Sequence, residues 1–248
     1  MGIGKGLFVT GTDTGVGKTV VSAALIRRLV HMRCSVGVMK PVETGVPSDS
    51  PDDSDAGRLM AAAGVKDSLD LVSPYRLQAP LAPLAAAQAE ERSIDAQEII
   101  RQFERLVDRY SLVIVEGAGG LLVPMGEDWS MRDLIVRLGI PVVLVGRACL
   151  GGINHALLTL ESLERTHIAV MALLLNETRP SATSVEQRQI ASTVSLLQAR
   201  AAVPVLGPLP YQAQLGHDWS AAVETLAQSS PILDLADRVR RGIAGSSV

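Results

Sequence analysis

The sequence predicts an α/β fold in which a mainly parallel sheet carries helices on both faces. Two observations predict it. Short, unbroken apolar runs alternate along the chain with longer segments of helical periodicity, and such runs mark strands buried on both sides. Hydrophobic residues make up 47% of the chain but aromatic ones only 3%. The core must therefore be built from Ala, Val, Leu and Ile, the palette of helices packed on a parallel sheet.

The elements follow in order. "GLFVTG" (6–11) is the first buried-strand run, and Thr19 to Val30 then carry apolar residues at helical spacing. "SVGVMKPV" (35–42) is a second strand that ends at a proline, and "LVIVEGAGG" (112–120) is a third. "IPVVLVG" (140–146), "AVMALLLN" (169–176) and "VPVLGPLP" (203–210) complete the set. Helical patterns lie at about 95–110, 152–166 and 182–201. "VPSDSPDDSD" (46–55), with four aspartates, three serines and two prolines, has the composition of a mobile loop. "LQAPLAPLAAAQAEER" (77–92) turns from prolines into an alanine-rich helix, and "GHDWSAAVETL" and "ILDLADRVRRGI" read as two amphipathic helices. No linker composition and no repeat divides the chain. The expectation is one domain over 1–248, with a core at about 5–211 and terminal helices at about 212–243.

Composition excludes several functions. Basic and acidic residues number 23 and 26 and are well mixed, for a net charge of −3. No basic face offers itself to nucleic acid. No apolar run approaches the roughly 18 residues needed to span a membrane. The start "MGIGKGLFVTG" lacks the apolar core of a signal peptide. Cys34 and Cys149 form no metal or disulfide framework, so a reduced, cytoplasmic setting is expected.

"VTGTDTGVGKT" (9–19) lies between a strand and a helix, where a phosphate loop belongs, so the fold expected is a single P-loop NTPase-like domain. Its spacing is unusual: five residues rather than four separate Gly11 from Gly17. Glycines let backbone N–H groups turn toward an anion, and the helix start adds partial positive charge. Lys18 is placed to reach the β- and γ-phosphates of a nucleotide, and Thr19 to offer its hydroxyl to Mg²⁺. Lys40 stands at the C-terminal end of the second strand, the edge where open parallel sheets bind ligands. Glu116 ends the third strand before a glycine turn (117–120), where a carboxylate serves Mg²⁺ directly or through water. Partition and septum-placing ATPases carry a second lysine early in the loop. Asp13 stands at that position, which argues against a role of that kind.

The ordered set "GTDTGVGKT", "KPVETG", "SDAGRL", "VEGAGG", "LGGINHALLT", "LLLNE" and "GPLPY" resembles the dethiobiotin synthetase family over about residues 7–211. The resemblance implies an ATP-dependent ligase that joins CO₂ (or bicarbonate) to 7,8-diaminopelargonate and closes a ureido ring. It implies Mg²⁺ held by Thr19, Asp55 and Glu116. It assigns catalysis to Lys18, Lys40 and Thr14, with Lys40 holding a carbamate. Nucleotide contacts fall on Asp13, Gly15, Val16, Gly17, Lys18, Thr19, Glu116 and Gly119. Asn176 matches an adenine reader, and Pro208, Leu209 and Pro210 flank the base. Substrate contacts fall on Thr14, Lys40 and Thr44, with Gly151, Gly152 and Asn154 receiving the tail carboxylate across a homodimer interface. Read without the resemblance, Asn154 is equally a simple helix cap, and His155 is read as structural. Two departures stand out. Gly15 replaces a glutamate of some relatives, and Ala82-Pro83-Leu84 stands where relatives often show Ser-Pro-His. The corrinoid amidating synthetases share the loop but need a glutaminase domain with a nucleophilic cysteine, for which the chain has no room.

Overall fold

A computed structural model describes residues 4–46 and 54–244. Most of the acidic 46–55 run, residues 47–53, lies outside the described residues. In chain order the elements are β1 (Gly6–Gly11), α1 (Lys18–His31), β2 (Val36–Met39), β3 (Val42–Thr44), α2 (Asp55–Ala63), α3 (Leu69–Val72) and β4 (Tyr75–Leu77). Then come α4 (Pro83–Ala89), α5 (Ala96–Val107), β5 (Leu112–Glu116), α6 (Met131–Leu138), β6 (Val142–Arg147) and α7 (Gly152–Arg165). The chain closes with β7 (Val170–Asn176), α8 (Ser184–Arg200), β8 (Val205–Leu209), α9 (Trp219–Ala227) and α10 (Ser230–Ala244).

Six strands pair in the order β2-β5-β1-β6-β7-β8, all parallel. Side-chain alternation along each strand builds two cores. Leu7 and Val9 join the core beneath α1, α2, α9 and α10, whereas Phe8 points into the core beneath α5 to α8. Val143 and Val145 repeat the split against Val142 and Leu144. A strand with both faces buried cannot afford polar alternation, which is why these runs read as unbroken apolar stretches.

The second predicted strand is shorter than expected. β2 stops at Met39, and Pro41, which lacks an N–H, separates it from β3. β3 then leaves the main sheet and pairs in parallel with β4 in a separate two-stranded ribbon. Lys40 sits at that break. The C-terminal helices are fastened to α1: Arg27 Nε lies 2.7 Å from Glu224 Oε2 of α9.

The order of strands fixes where ligands can go. β1 lies centrally, with β5 on one side and β6 on the other; β1 connects through α1 to β2 beyond β5, whereas β5 connects through α6 to β6, so the connections of these neighbouring strands leave in opposite directions. That switch point opens a crevice at the sheet's C-terminal edge.

Candidate active site

β1 delivers the phosphate loop to that crevice. Gly17, the N-cap of α1, is left-handed at φ +96°. A Cβ there would also overlap the Asn176 amide. Asn176, at the end of β7, donates from Nδ2 to the Val16 carbonyl at 3.0 Å and so braces the loop from beneath. Lys18 is buried and donates to the Asp13 carbonyl at 3.1 Å. Burial, and next the charge of Lys40, lower its ammonium from the ordinary 10.5 to about 8.

Asp13 itself is not a bare acid. Its Oδ1 accepts the Thr14 N–H at 2.7 Å, and its Oδ2 lies 3.2 Å from Arg147 Nη2 at the end of β6. Arg147 also donates to the Thr14 carbonyl at 2.8 Å. The loop position that carries a lysine in partition ATPases thus holds an acid here, with its cation supplied by the neighbouring strand. Nothing in the local sequence around Arg147 signalled this, because the two residues lie 134 positions apart.

The second cluster gathers around Lys40. Its Nζ lies 2.6 Å from Glu116 Oε1, 2.8 Å from Asp55 Oδ2 and 3.4 Å from the Gly117 carbonyl. Burial opposes the charge on Lys40, but the carboxylates of Glu116 and Asp55 outweigh it and raise the pKa above the usual lysine value. Burial likewise opposes the charge on Asp55, and Lys40 prevails, lowering the pKa of that carboxyl. Glu116, fully buried at the end of β5, also accepts the Thr19 hydroxyl at 2.8 Å. Its second oxygen, Oε2, is buried without a hydrogen bond among the described residues.

Sequence reasoning missed a third carboxylate. Glu43 of β3 is buried, and its two oxygens accept the N–H groups of Asp55 at 2.5 Å and Ala56 at 3.2 Å. Ser54 accepts from Gly57 N at 3.0 Å. The N–H groups of Asp55, Ala56 and Gly57, orphan donors at the start of α2, are therefore satisfied, two of them by a side chain from the ribbon. Burial, with the nearby Asp55 charge, raises the pKa of Glu43. The "KPVETG" motif placed Lys40 and Thr44 but gave no hint that the residue between them caps a distant helix.

A cleft of about 370 Å³ joins these groups, lined by Thr14, Gly15, Gly17, Lys18, Thr19, Lys40, Thr44, Asp55 and Gly119 among others. Gly119 turns through φ +60°, and a Cβ there would meet Val123.

The remaining expected residues lie elsewhere. Gly151, at φ +88°, is the N-cap of α7, and Gly152 packs against the Arg147 carbonyl. Asn154 makes no side-chain cap and is exposed, which removes the simple-cap reading. His155, read as structural, is also exposed. None of the three α7 residues lines the cleft. At the end of β8, the Leu209 side chain is in the core while its carbonyl accepts from Glu177 N at 3.0 Å; Pro208 is half-buried and Pro210 exposed. Leu84 of the departing Ala-Pro-Leu segment donates its N–H to the Pro124 carbonyl at 3.2 Å, and Pro83 takes the first position of α4.

Comparison with known proteins adds what geometry leaves open. A family model described as an AAA domain matches residues 5–218. The ATP-dependent dethiobiotin synthetase of Thermodesulfovibrio yellowstonii is 40% identical over 222 residues, covering 86% of this chain and 91% of that protein. The chain belongs to the dethiobiotin synthetase family. Family members from Anaeromyxobacter dehalogenans (46% identical over 176 residues, 71% of this chain and 78% of that one) and Bacillus velezensis (36% over 206 residues, 83% and 86%) agree. Among solved structures, the MinD cell division protein of Aquifex aeolicus superposes with a TM-score of 0.55 at 15% identity over 98% of both chains. A ParA family ATPase from Chlorobium tepidum gives 0.53 at 15%, over 94% of this chain and 98% of that one. These two share the fold alone. No helix among the described residues is long and apolar enough to cross a membrane.

Proposed function

We propose that the protein catalyses the ATP- and Mg²⁺-dependent carboxylation and ring closure of 7,8-diaminopelargonate with CO₂, giving dethiobiotin, ADP and phosphate. The observation that carries the proposal is the meeting of Lys18, Thr19, Lys40, Asp55 and Glu116 at one cleft in a chain of this family.

One substrate amine adds to CO₂, loses a proton and becomes a carbamate. The carbamate oxygen attacks the γ-phosphorus, and ADP leaves. The second amine attacks the carbonyl carbon of the mixed anhydride, closing the ring and expelling phosphate. No protein nucleophile is needed. The protein's part is positioning and charge neutralisation. Lys40, kept charged by its two carboxylates, is suited to hold an anionic carbamate in line with the phosphoryl group. Lys18 neutralises the phosphates; anion binding restores the charge that burial disfavours.

One hydroxyl and two carboxylates make a hard oxygen set suited to Mg²⁺, and the orphaned Glu116 Oε2 leaves a buried anionic oxygen for it. Bound there by Thr19, Asp55 and Glu116, the metal would neutralise β- and γ-phosphate charge.

The exposed start of α7 supports a substrate-carboxylate site shared between two copies of the chain. Its N–H groups have no side-chain cap, and Leu150 beside them is 78% exposed. A second copy placed over this face would bury the leucine and bring Gly151, Gly152 and Asn154 to a neighbouring cleft.

Incubation of the purified protein with diaminopelargonate, bicarbonate and MgATP, read by mass spectrometry, tests the proposal. A ureido product formed one-for-one with ADP is expected. ADP released equally well without the diamine, or no ureido product at all, rejects it.

A further inference from the structure

Among the described residues, three cations line the cleft: Lys18, Lys40 and Arg58. Lys40 is neutralised by Glu116 and Asp55. Lys18 makes no ion pair among the described residues, and neither does Arg58, which also makes no side-chain hydrogen bond there. Arg58 lies on α2, one turn after Asp55 and on the same face of the helix. Its guanidinium is not loose. It sits over the ring of Trp219, 4.5 Å from the centroid, at the start of α9. Trp219 packs against the core beneath α1, and Asp218 caps α9 by accepting the Ala221 N–H at 3.0 Å. A neighbouring cleft shares the same two residues, so the Arg58–Trp219 pair forms a wall between the two.

An arginine that stacks on an aromatic ring while its donors go unused is preorganised for an oxyanion. The ring fixes the plane of the fork, and less side-chain entropy remains to be lost on binding. The cleft it faces runs on past Gly15, Gly17 and Lys18 to Thr19 and Val20 in the first turn of α1. These are the groups from which a phosphate loop holds a nucleotide's phosphates.

We infer that Arg58, set by Trp219, is a second cationic contact to the phosphates of the bound nucleotide, alongside Lys18. Helix α9 thereby forms part of the nucleotide site, a role that no motif in the C-terminal helices announces. The inference deepens the proposed function and rests on a nucleoside triphosphate being the substrate of this cleft. It is decided by binding, not turnover.

The chain has two tryptophans, Trp129 and Trp219. In a Trp129→Phe background the remaining indole reports on the wall directly. Titration with MgADP should shift Trp219 emission, and adenosine at the same concentration should not. Arg58→Gln should weaken MgADP binding about tenfold, as expected for loss of one charge-assisted hydrogen bond, with Arg58→Lys recovering part of it. Diaminopelargonate affinity, measured by calorimetry on the same variants, should be unchanged. Trp219→Phe keeps an aromatic face and should bind MgADP more tightly than Trp219→Leu, which separates the stacking role from mere packing.

Unchanged MgADP affinity in a folded Arg58→Gln protein overturns the inference. So does weakened diamine binding with nucleotide binding intact, which would mean that Arg58 receives the substrate carboxylate. Wild-type protein that binds MgADP but makes no ureido product would reject the proposed reaction and leave the phosphate contact to be judged by the titration alone.

Discussion

The crevice at the end of β1 and the start of α7 are both built on glycine and a helix N-terminus, but they are finished differently. In the crevice the acids and Lys40 have partners inside the chain: Lys40 bridges two carboxylates, Asp13 is paired with Arg147, and Glu43 caps α2, while Lys18 and Arg58 make no ion pair among the described residues. At the start of α7 the described residues make no ion pair and no side-chain cap, and Gly152 N–H reaches only the Cys149 carbonyl at 2.9 Å. Gly151 caps without a side chain, and Asn154, His155, Leu150 and Leu158 are exposed. The first site is preorganised by one copy of the chain. The second is left open by the chain itself, as the proposed carboxylate site between two copies requires.

The largest effect should come from striking the preorganised site at its centre. Lys40→Gln removes the cation proposed to hold the carbamate, and product formation should fall on the order of 10²–10³-fold. MgADP should still bind. Loss of nucleotide binding instead would move Lys40 to the nucleotide's half of the cleft. The variant also leaves Glu116 and Asp55 without their shared counter-charge. Mg²⁺ should therefore raise its melting temperature more than it raises that of the wild type.

The open site should be broken from a position that touches no nucleotide. Leu158 lies one turn beyond Asn154 on the same face of α7 and is 57% exposed. Leu158→Glu should leave the isolated fold and MgADP affinity unchanged. In a dimer it would bury a lone charge, costing about 3 kcal/mol, or more than a hundredfold in the dimer dissociation constant. Sedimentation should show monomers, and the Michaelis constant for the diamine should rise with that for ATP unmoved. A monomeric wild type, or a Leu158→Glu enzyme with full activity, would mean that the α7 face is simply solvated.

The contrast also explains what the sequence disclosed. Contiguous motifs disclosed the crevice well, since a strand, a glycine turn and a helix start are local events. The six strands of the sheet all lie where apolar runs predicted them, within a few residues. What stayed hidden depends on contacts between distant segments. Arg147 on Asp13, Glu43 on α2 and Trp219 on Arg58 join residues from separate elements, and no pattern within either segment encodes the partner. Asn176 was legible as a strand-end amide, but its hydrogen bond to Val16 shows that it braces the loop whether or not it reads a base. The β3–β4 ribbon escaped because three-residue strands carry too little periodicity to register.

Glu43 gives an intermediate effect that sharpens the comparison. Glu43→Ala strands two N–H groups at the start of α2, one buried and one half-buried, and the cost should be about 1–2 kcal/mol in thermal or denaturant unfolding. Because α2 carries Asp55, the Mg²⁺ concentration needed for half-maximal activity should rise severalfold, while diamine affinity stays put. Glu43→Gln keeps one acceptor oxygen and should recover part of both effects. A loss of stability with no change in the Mg²⁺ requirement would reduce Glu43 to a helix cap.

The smallest effect belongs to a pair remote from both regions. Tyr110 packs its ring where a Cβ on Gly37 would lie and donates its hydroxyl to the buried Asp67 at 2.5 Å. Burial, then the bond to Asp67, raises the phenol from 10 to about 12. Because the folded pKa is the higher one, the stabilisation is fully present below pH 10 and is lost as pH rises toward 12. Tyr110→Phe should cost about 1 kcal/mol at neutral pH, since the phenol is only partly buried. The variant should also flatten this part of the alkaline decline, so that the two proteins converge near pH 12. Activity and MgADP affinity should not change. A change in either would show that the tether between the segment before α3, which holds Asp67, and the segment after α5, which holds Tyr110, reaches the crevice through α2. Preorganisation there would then extend beyond the groups that line it.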